Sequence, residues 1–436
     1  MPFENQLQSV KNVKRYINYV FTNPYKITKE KSYEELCSVH GVKTFIVENE
    51  NQEFLGLVTN RDYKNSDDNN LKYTSYYNLH KIYYDKHVFN SIINNRNTDK
   101  FKNFMLSCKN LMKKHNVEKC LIFESITHLD SYIPYGENMT KTKNLLGLVT
   151  MKSVEHYFNN REKACLDSQG RLSVAAAVGI RGDYLERVEK LVEAGLDCIC
   201  IDVANGHNEY TIHAVKSIRD KFQDLVIIAG NVVTGEGFIK LTEAGVDCIR
   251  IGIGNGSICS TRLETGIGYG QWSSIVDCYN TKLENNLSTK MICDGGSLGK
   301  TGNKVKALVA GADAVMLGRT LAGTEESPGT TITRNGKRMK YFRGMASTMA
   351  NISNQESSSK KAKIETNFTA EGVDGVVDMK GSVCNILEQI CGGIKSGFSY
   401  LNVNSFKDLE KIRTSVEWVK SSPIGLSETS TRIKTF

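Results

Sequence analysis

The sequence predicts an α/β fold, a parallel (β/α)8 TIM barrel, and three observations predict it. The first is a repeat. Glu193-Ala-Gly-Leu-Asp-Cys-Ile-Cys-Ile201, Glu243-Ala-Gly-Val-Asp-Cys-Ile-Arg-Ile251 and Ala310-Gly-Ala-Asp-Ala-Val-Met-Leu317 each stop a helix at glycine and run straight into an apolar stretch. Glycine tolerates the left-handed turn that ends a helix, and a short continuous apolar run suits a strand buried on both faces. The second is that glycines and polar residues gather after each such strand, at the end where a barrel of this kind carries its active site. The third is composition: 36 Gly, 40% hydrophobic residues and only 5 Pro in 436 residues exclude collagen-like, wholly disordered and disulfide-scaffold chains.

In chain order, residues 1–20 hold one short helix. Residues 21–160 are rich in Asn, Lys and Tyr, poor in Gly, and contain an internal repeat of their own. Val42–Val47 and Leu55–Thr59 form two short strands about a turn, and Val117–Phe123 with Leu146–Thr150 repeats the pattern. Helical segments flank each copy. A polar stretch at Phe158–Lys163 marks a hinge before the region 161–436. There the strands are expected at Leu172–Val178, Asp197–Val203, Leu225–Ala229, Asp247–Ile253, Lys290–Asp294 and Asp313–Gly318, with helices between them.

Chemistry concentrates after the fourth of these strands. In Gly252-Ile-Gly-Asn-Gly-Ser-Ile-Cys259-Ser-Thr261-Arg262, glycines at alternate positions let backbone amides and carbonyls turn toward a ligand, and one cysteine falls in a loop. Cys259 is a candidate nucleophile with Thr261 and Arg262 close by; an unreactive loop cysteine is the alternative. Asp294-Gly-Gly296 and Leu317-Gly318-Arg319 end successive strands and supply amides for a phosphate cradle. Asp294 suits a ribose diol, and Asp202-Val-Ala-Asn205-Gly206 sets an acid and an amide on the same rim.

The formal net charge of +8 comes without a long basic block and by itself suits anionic small molecules as readily as nucleic acid; the glycine-rich strand ends shift the expectation to anionic nucleotides, with no nucleic acid. No window reaches about 18 uninterrupted apolar residues, which argues against a membrane span. Several of the 12 Cys sit inside apolar runs, as Cys198 and Cys200 do, and read as reduced thiols of a cytoplasmic protein.

These motifs carry two resemblances. The duplicated segment of 21–160 resembles a tandem CBS (Bateman) module, whose usual ligands are purine nucleotides. Gly56-Leu-Val-Thr59-Asn-Arg-Asp62 matches that family's ribose and phosphate motif, whereas the second copy has Ser153 in place of the acid. Residues 172–409 resemble the IMP dehydrogenase/GMP reductase family through Ala175–Gly179, Asp202–Gly206, Ala229–Thr234, Gly252–Cys259, Asp294–Gly296, Leu321–Gly329 and Arg343-Gly-Met345. Asp202-Val-Ala-Asn-Gly206 and Thr265-Gly-Ile-Gly-Tyr-Gly-Gln271 look like the reductase, and Ser353–Thr369 lacks the Arg-Tyr pair of the dehydrogenase flap. Leu321–Gly329 resembles dehydrogenases at least as well.

What the resemblance implies is a GMP reductase that converts GMP to IMP and ammonia with NADPH through a Cys-linked purine. IMP dehydrogenase and an inactive nucleotide-binding paralogue stand as alternatives. Cys259 would be the nucleophile, with Thr261 and Glu326 handling protons. Ser257, Asp294, Gly295, Gly296, Gly318, Arg343, Gly344 and Met345 would hold the nucleotide, and Asp202, Asn205 and Gly206 the cofactor. Carbonyls of Gly254, Gly256 and Cys259 could take a monovalent cation such as K+. Thr59 and Asp62 would hold a regulatory nucleotide, and the family suggests homotetramers or octamers. It also implies that residues 1–20 are a remnant barrel helix and that 161–436 carry strands 3–8, the first two β/α units being absent from this chain.

Overall fold

In this computed structural model the described residues are 3–14, 16–17, 20–22, 24, 26–28, 44–51, 54–59, 74–75, 81–84, 86–94, 98–125, 141–160, 165–168, 171–296, 299–344, 347 and 370–418. Two compact units divide the chain, one of residues 1–200 with 224–226 and one of residues 201–223 with 227–436.

The first unit contains β1 (Tyr16–Ile17), β2 (Val20–Phe21), β3 (Lys26–Thr28), β4 (Thr44–Glu48), β5 (Phe54–Thr59), β6 (Thr74–Ser75), β7 (Lys81–Tyr84), β8 (Lys119–Ser125) and β9 (Lys141–Thr150). They form two sheets, in the orders β3-β4-β5-β6 and β1-β2-β9-β8-β7. The repeat in the sequence is also a repeat in register. The glycine of each Leu-Gly-Leu-Val-Thr segment faces its antiparallel partner, Gly56 opposite Val47 and Gly147 opposite Ile122. In each copy the partner strand also pairs in parallel on its other side, β3 with β4 and β7 with β8.

Three helices, α2 (Lys86–Ile93), α3 (Asp99–Lys114) and α4 (Met151–Asn160), contribute Phe89, Phe101, Phe104, Met105 and Tyr157 to a buried cluster. Full burial of each such side chain stabilises by roughly 1.5–3 kcal/mol. The first helix, α1 (Phe3–Lys14), ends in a buried lysine that pairs with Asp167 at 2.8 Å and Asp197 at 2.6 Å. Burial alone would raise the Asp167 carboxyl, but hydrogen bonds from Lys14 and from the backbone and guanidinium of Arg171 outweigh it and hold it down to about 2.

The six expected strands are present, with ends within three residues of expectation: β10 (Ala175–Val178), β11 (Cys198–Asp202), β12 (Val226–Val232), β13 (Cys248–Ile251), β14 (Lys290–Asp294) and β15 (Ala314–Met316). They follow one another in sequence order in a parallel, half-barrel sheet, and the boundary between the two units falls within β11. The connecting helices are α5 (Tyr184–Glu193), α6 (Glu209–Lys221), α7 (Gly235–Glu243), α8 (Thr261–Thr265), α9 (Gln271–Glu284) and α10 (Thr301–Val309).

The helix-stop repeat has a defined geometry. Gly195, Gly245 and Gly311 have φ of +94°, +99° and +133°, and the amide after each reaches back to a carbonyl of the preceding helix. The aspartate two residues later then staples two strands at their starts. Asp197 binds the amide of Val174 at 2.7 Å, Asp247 that of Ile227 at 2.7 Å, and Asp313 that of Met291 at 2.9 Å. Each aspartate returns its own amide to the carbonyl of the same residue. A cation completes each staple: Lys14, Arg219 and Lys282 respectively.

Beyond β15 lie α11 (Arg319–Ala322), a three-stranded antiparallel sheet of β16 (Thr331–Arg334), β17 (Lys337–Arg343) and β18 (Asp374–Asp378), then α12 (Val383–Tyr400) and α13 (Phe406–Ile412). This sheet is not anticipated from the sequence, although Asn335-Gly336, both at positive φ, is the two-residue turn that favours a hairpin. Buried Lys340 of β17 donates to the carbonyls of Glu325 at 2.9 Å and Ser327 at 2.6 Å, fastening the turn that carries Glu326.

Candidate active site

The segment after β13 brings Cys259 to the base of α8, where its Sγ lies 3.1 Å from the Thr261 hydroxyl. Thr261 is buried and Cys259 partly exposed. The loop is pinned by its backbone: the Ser260 amide donates to the Glu371 carbonyl at 2.9 Å, and the Val373 amide to Ile258 at 3.0 Å. Gly344, just past Arg343 at the end of β17, donates to the Val373 carbonyl at 3.1 Å, so the 343–344 corner lies against the segment ahead of β18 that holds the cysteine loop. Met345 falls outside the described residues.

Cys293 and Cys278 are buried thiols. Burial pushes the Cys293 thiol up to about 11 and Cys278 up to about 12, with Asp277 adding to the latter. Cys165, Cys384 and Cys391 are exposed, so exposure alone does not single out Cys259. Its position in the glycine loop and its hydroxyl neighbour do.

The floor of the loop is Gln271, the first residue of α9. Its Nε2 donates to the Ile251 carbonyl at 2.7 Å and to Cys293 Sγ at 3.3 Å, while its Oε1 accepts from Asn255 at 2.6 Å. Gly252 is at φ +135°, and a Cβ there would collide with Gln271 and with the Asp294 carbonyl. Gly296, at φ +69°, faces the same obstacle, its Cβ falling 2.7 Å from Gln271 Cβ. The glycines are therefore required by close approach as much as by backbone angle.

The ends of β11 and β14 meet on one guanidinium of β13. Arg250 of β13 donates from Nη1 to Asp202 Oδ1 at the end of β11 and from Nη2 to Asp294 Oδ2 at the end of β14, each at 2.6 Å. Asn231 of β12 donates to the same Asp294 oxygen at 3.0 Å and to the Gly252 carbonyl at 2.6 Å. Among the described residues, Asp202 Oδ2 and Asp294 Oδ1 keep no hydrogen-bond partner. Each carboxylate thus commits one oxygen to the interior and offers the other, the form a diol donor needs.

The remaining expected residues divide. The Asn205 Oδ1 accepts from the His207 amide at 3.0 Å, and the Gly206 amide donates to the Asn231 carbonyl at 2.7 Å, so this turn is built onto β12. The Gly296 amide is already given to the Asn255 carbonyl at 2.9 Å. Gly295 has φ +94°, and Ser257 and Gly318 are exposed in the loops after β13 and β15. The Gly256 carbonyl accepts the Cys259 amide at 3.2 Å, and the Arg262 side chain fills the space beside Gly254.

Glu326 accepts from Ser382 Oγ at 3.0 Å and from the Val383 amide at 2.9 Å, at the start of α12, and no hydrogen bond joins it to Thr261. In the first unit Thr59 ends β5, and Asp62 is outside the described residues. Thr150, its counterpart in the second copy, accepts the Ser153 amide at 3.1 Å and meets the Ser153 hydroxyl at 2.8 Å, so it caps its own helix. Among the described residues no group of three or more His, Cys, Asp or Glu could hold a metal ion, and no helix is long and apolar enough to cross a membrane.

Reading the sequence alone misses Arg250, Asn231 and the scaffold role of Gln271. Arg250 had a signal, a permanent charge inside the apolar run Cys248-Ile-Arg-Ile251, which needs buried anionic partners.

An IMP dehydrogenase / GMP reductase domain model matches residues 1–432. An inosine-5'-monophosphate dehydrogenase of Nitrosopumilus maritimus is 34% identical over 436 residues, covering 98% of this chain and 83% of its own. One from Bacillus subtilis is 35% identical over 438 residues, covering 98% and 81%. Among solved structures, a cysteine-to-alanine variant of GMP reductase from Trypanosoma brucei in complex with guanosine 5'-monophosphate superposes with a TM-score of 0.71 at 31% identity, covering 99% of this chain and 83% of that one.

Proposed function

The chain belongs to the IMP dehydrogenase/GMP reductase family, whose members are nicotinamide-dependent oxidoreductases, and within it we propose that this protein is a GMP reductase. The observation that carries this reading is the likeness, along nearly the whole chain, to a GMP reductase solved with guanosine 5'-monophosphate. Asp202–Gly206 and Thr265–Gln271, which look like the reductase's segments, support it locally.

In this reading the Cys259 thiolate adds to C2 of GMP. Thr261, whose hydroxyl accepts from the sulfur at 3.1 Å, is placed to relay a proton to the departing amine, which must leave as ammonia because amide anion is too basic. NADPH, when bound, supplies the hydride that replaces the amine at C2. Expulsion of the Cys259 thiolate then gives IMP, so one hydride and one proton are consumed for each ammonia released. Asp294 would hold the nucleotide ribose through its free oxygen, with Ser257, Gly295 and Gly318 about the phosphate and Gly344 with Met345 at the purine. Asp202 and Asn205 fit a cofactor on the facing side, since Asp202 keeps an open acceptor on a partly exposed rim. Glu326 would join the proton relay by leaving the start of α12. Carbonyls about Gly254 and Gly256 could take K+.

We further read residues 21–160 as a CBS pair binding a purine nucleotide at Thr59 and Asp62 in a tetramer or octamer, with residues 1–20 and 161–436 as the barrel. Ser153, standing where the second copy would carry the acid, favours one working nucleotide site in the pair rather than two. The competing activity is IMP dehydrogenase, favoured by the names of the relatives from Nitrosopumilus maritimus and Bacillus subtilis. Following NADPH absorbance with GMP, and NADH formation with IMP and NAD, decides between them. GMP-dependent NADPH oxidation is expected; NADH formation without it would transfer the assignment.

A further inference from the structure

Arg250 sits between two carboxylates that the proposed function gives to different ligands, Asp294 to the nucleotide ribose and Asp202 to the cofactor. The cation is interior, its side chain 10% exposed, while the carboxylates are 24% and 32% exposed. Its two terminal nitrogens serve one acid each at 2.6 Å. Only a planar fork can do this; a lysine ammonium is a point donor that reaches one acid well or both poorly. Asn231 ties the Asp294 side of the arrangement to the root of the cysteine loop through the Gly252 carbonyl. Without the guanidinium, the carboxylates at the ends of β11 and β14 would both lose the cation they share.

We propose that Arg250 is a positioning residue for both half-sites, aiming the free oxygens of Asp202 and Asp294 outward and coupling their occupancy. Hydroxyl donors arriving on one carboxylate draw off its charge and loosen its hold on the shared guanidinium, which then tightens on the other acid. Nucleotide and cofactor affinities are therefore linked through a side chain that touches neither. The inference deepens the proposed function and rests on it.

Calorimetric titration of the full chain with GMP and with NADP+ tests it. Arg250→Lys keeps the charge but not the fork and is expected to weaken both ligands about tenfold, the scale of one charged hydrogen bond. Asp202→Asn, on the cofactor side, is expected to shift GMP affinity by about threefold or more, and this shift is expected to vanish when Arg250→Lys is also present. Should Arg250→Lys melt well below the wild type, Arg250→Gln, with its planar two-headed amide, is read in its place. Unchanged affinities in a folded Arg250 variant, or an Asp202→Asn effect on GMP that persists without the fork, would overturn the coupling while leaving the reductase reading intact. A wild-type chain that binds NADP+ but no GMP would remove the substrate assignment, and the proposal with it.

Discussion

At the scale of single residues, the proposed function places the chemistry on the pair Cys259–Thr261, and the proposed coupling places the geometry around it on Arg250. Replacing Cys259 by Ser keeps size and loop contacts but removes the thiolate. GMP-dependent NADPH oxidation is expected to fall below detection while GMP binding, measured calorimetrically, persists. Thr261→Val removes the hydroxyl at 3.1 Å and keeps the shape. A loss of about 10²-fold in kcat with little change in KM is expected, the usual contribution of a positioned proton-transfer group. The thiol of Cys259 was legible because glycines crowd a loop around it. Arg250 was not, because a partner 48 residues earlier and another 44 later come together only once β11, β13 and β14 lie in one sheet. Glu326 was legible as a motif member, yet its carboxylate sits at the start of α12, a placement that no local pattern announces.

At the scale of elements, the strands were readable because the same helix-stop segment recurs three times and each recurrence ends in the same hydrogen bonds. Those bonds can be tested one at a time. Asp313→Ala strips the Met291 amide of its acceptor and is expected to cost about 1–3 kcal/mol in urea unfolding, with catalysis at the far ends of the strands little changed. Gly252→Ala is expected to do the reverse of a mild change: its Cβ has no space between Gln271 and the Asp294 carbonyl, so activity should be lost and stability reduced together. The sheet of β16, β17 and β18 escaped the sequence reading because its third strand returns across about thirty intervening residues. Only the Asn335-Gly336 turn is local, and it foretells a hairpin without saying where the hairpin docks.

At the scale of the whole molecule, acid sensitivity should have an identifiable source in the first unit. The Asp167 carboxyl is held at about 2, below its ordinary 3.8, so the stability it contributes is complete above about pH 4 and drains away as pH falls toward 2. Unfolding followed by circular dichroism is expected to show this loss in the wild type. Lys14→Met should show it less, since Arg171 alone then holds Asp167, at a cost of about 3–5 kcal/mol near neutral pH for leaving Asp197 without its cation.

The three aspartate staples all lie at the starts of strands, whereas the glycine loops, Arg250's two acids and Cys259 lie at or beyond the strand ends. Foundation and workshop are thus at opposite ends of the same sheet, and a change in one need not be renegotiated in the other. A lineage can exchange a dehydrogenase's loops for a reductase's, or drift between them, without having to rediscover how to fold, and a laboratory graft of residues 252–270 onto a relative starts from the same advantage.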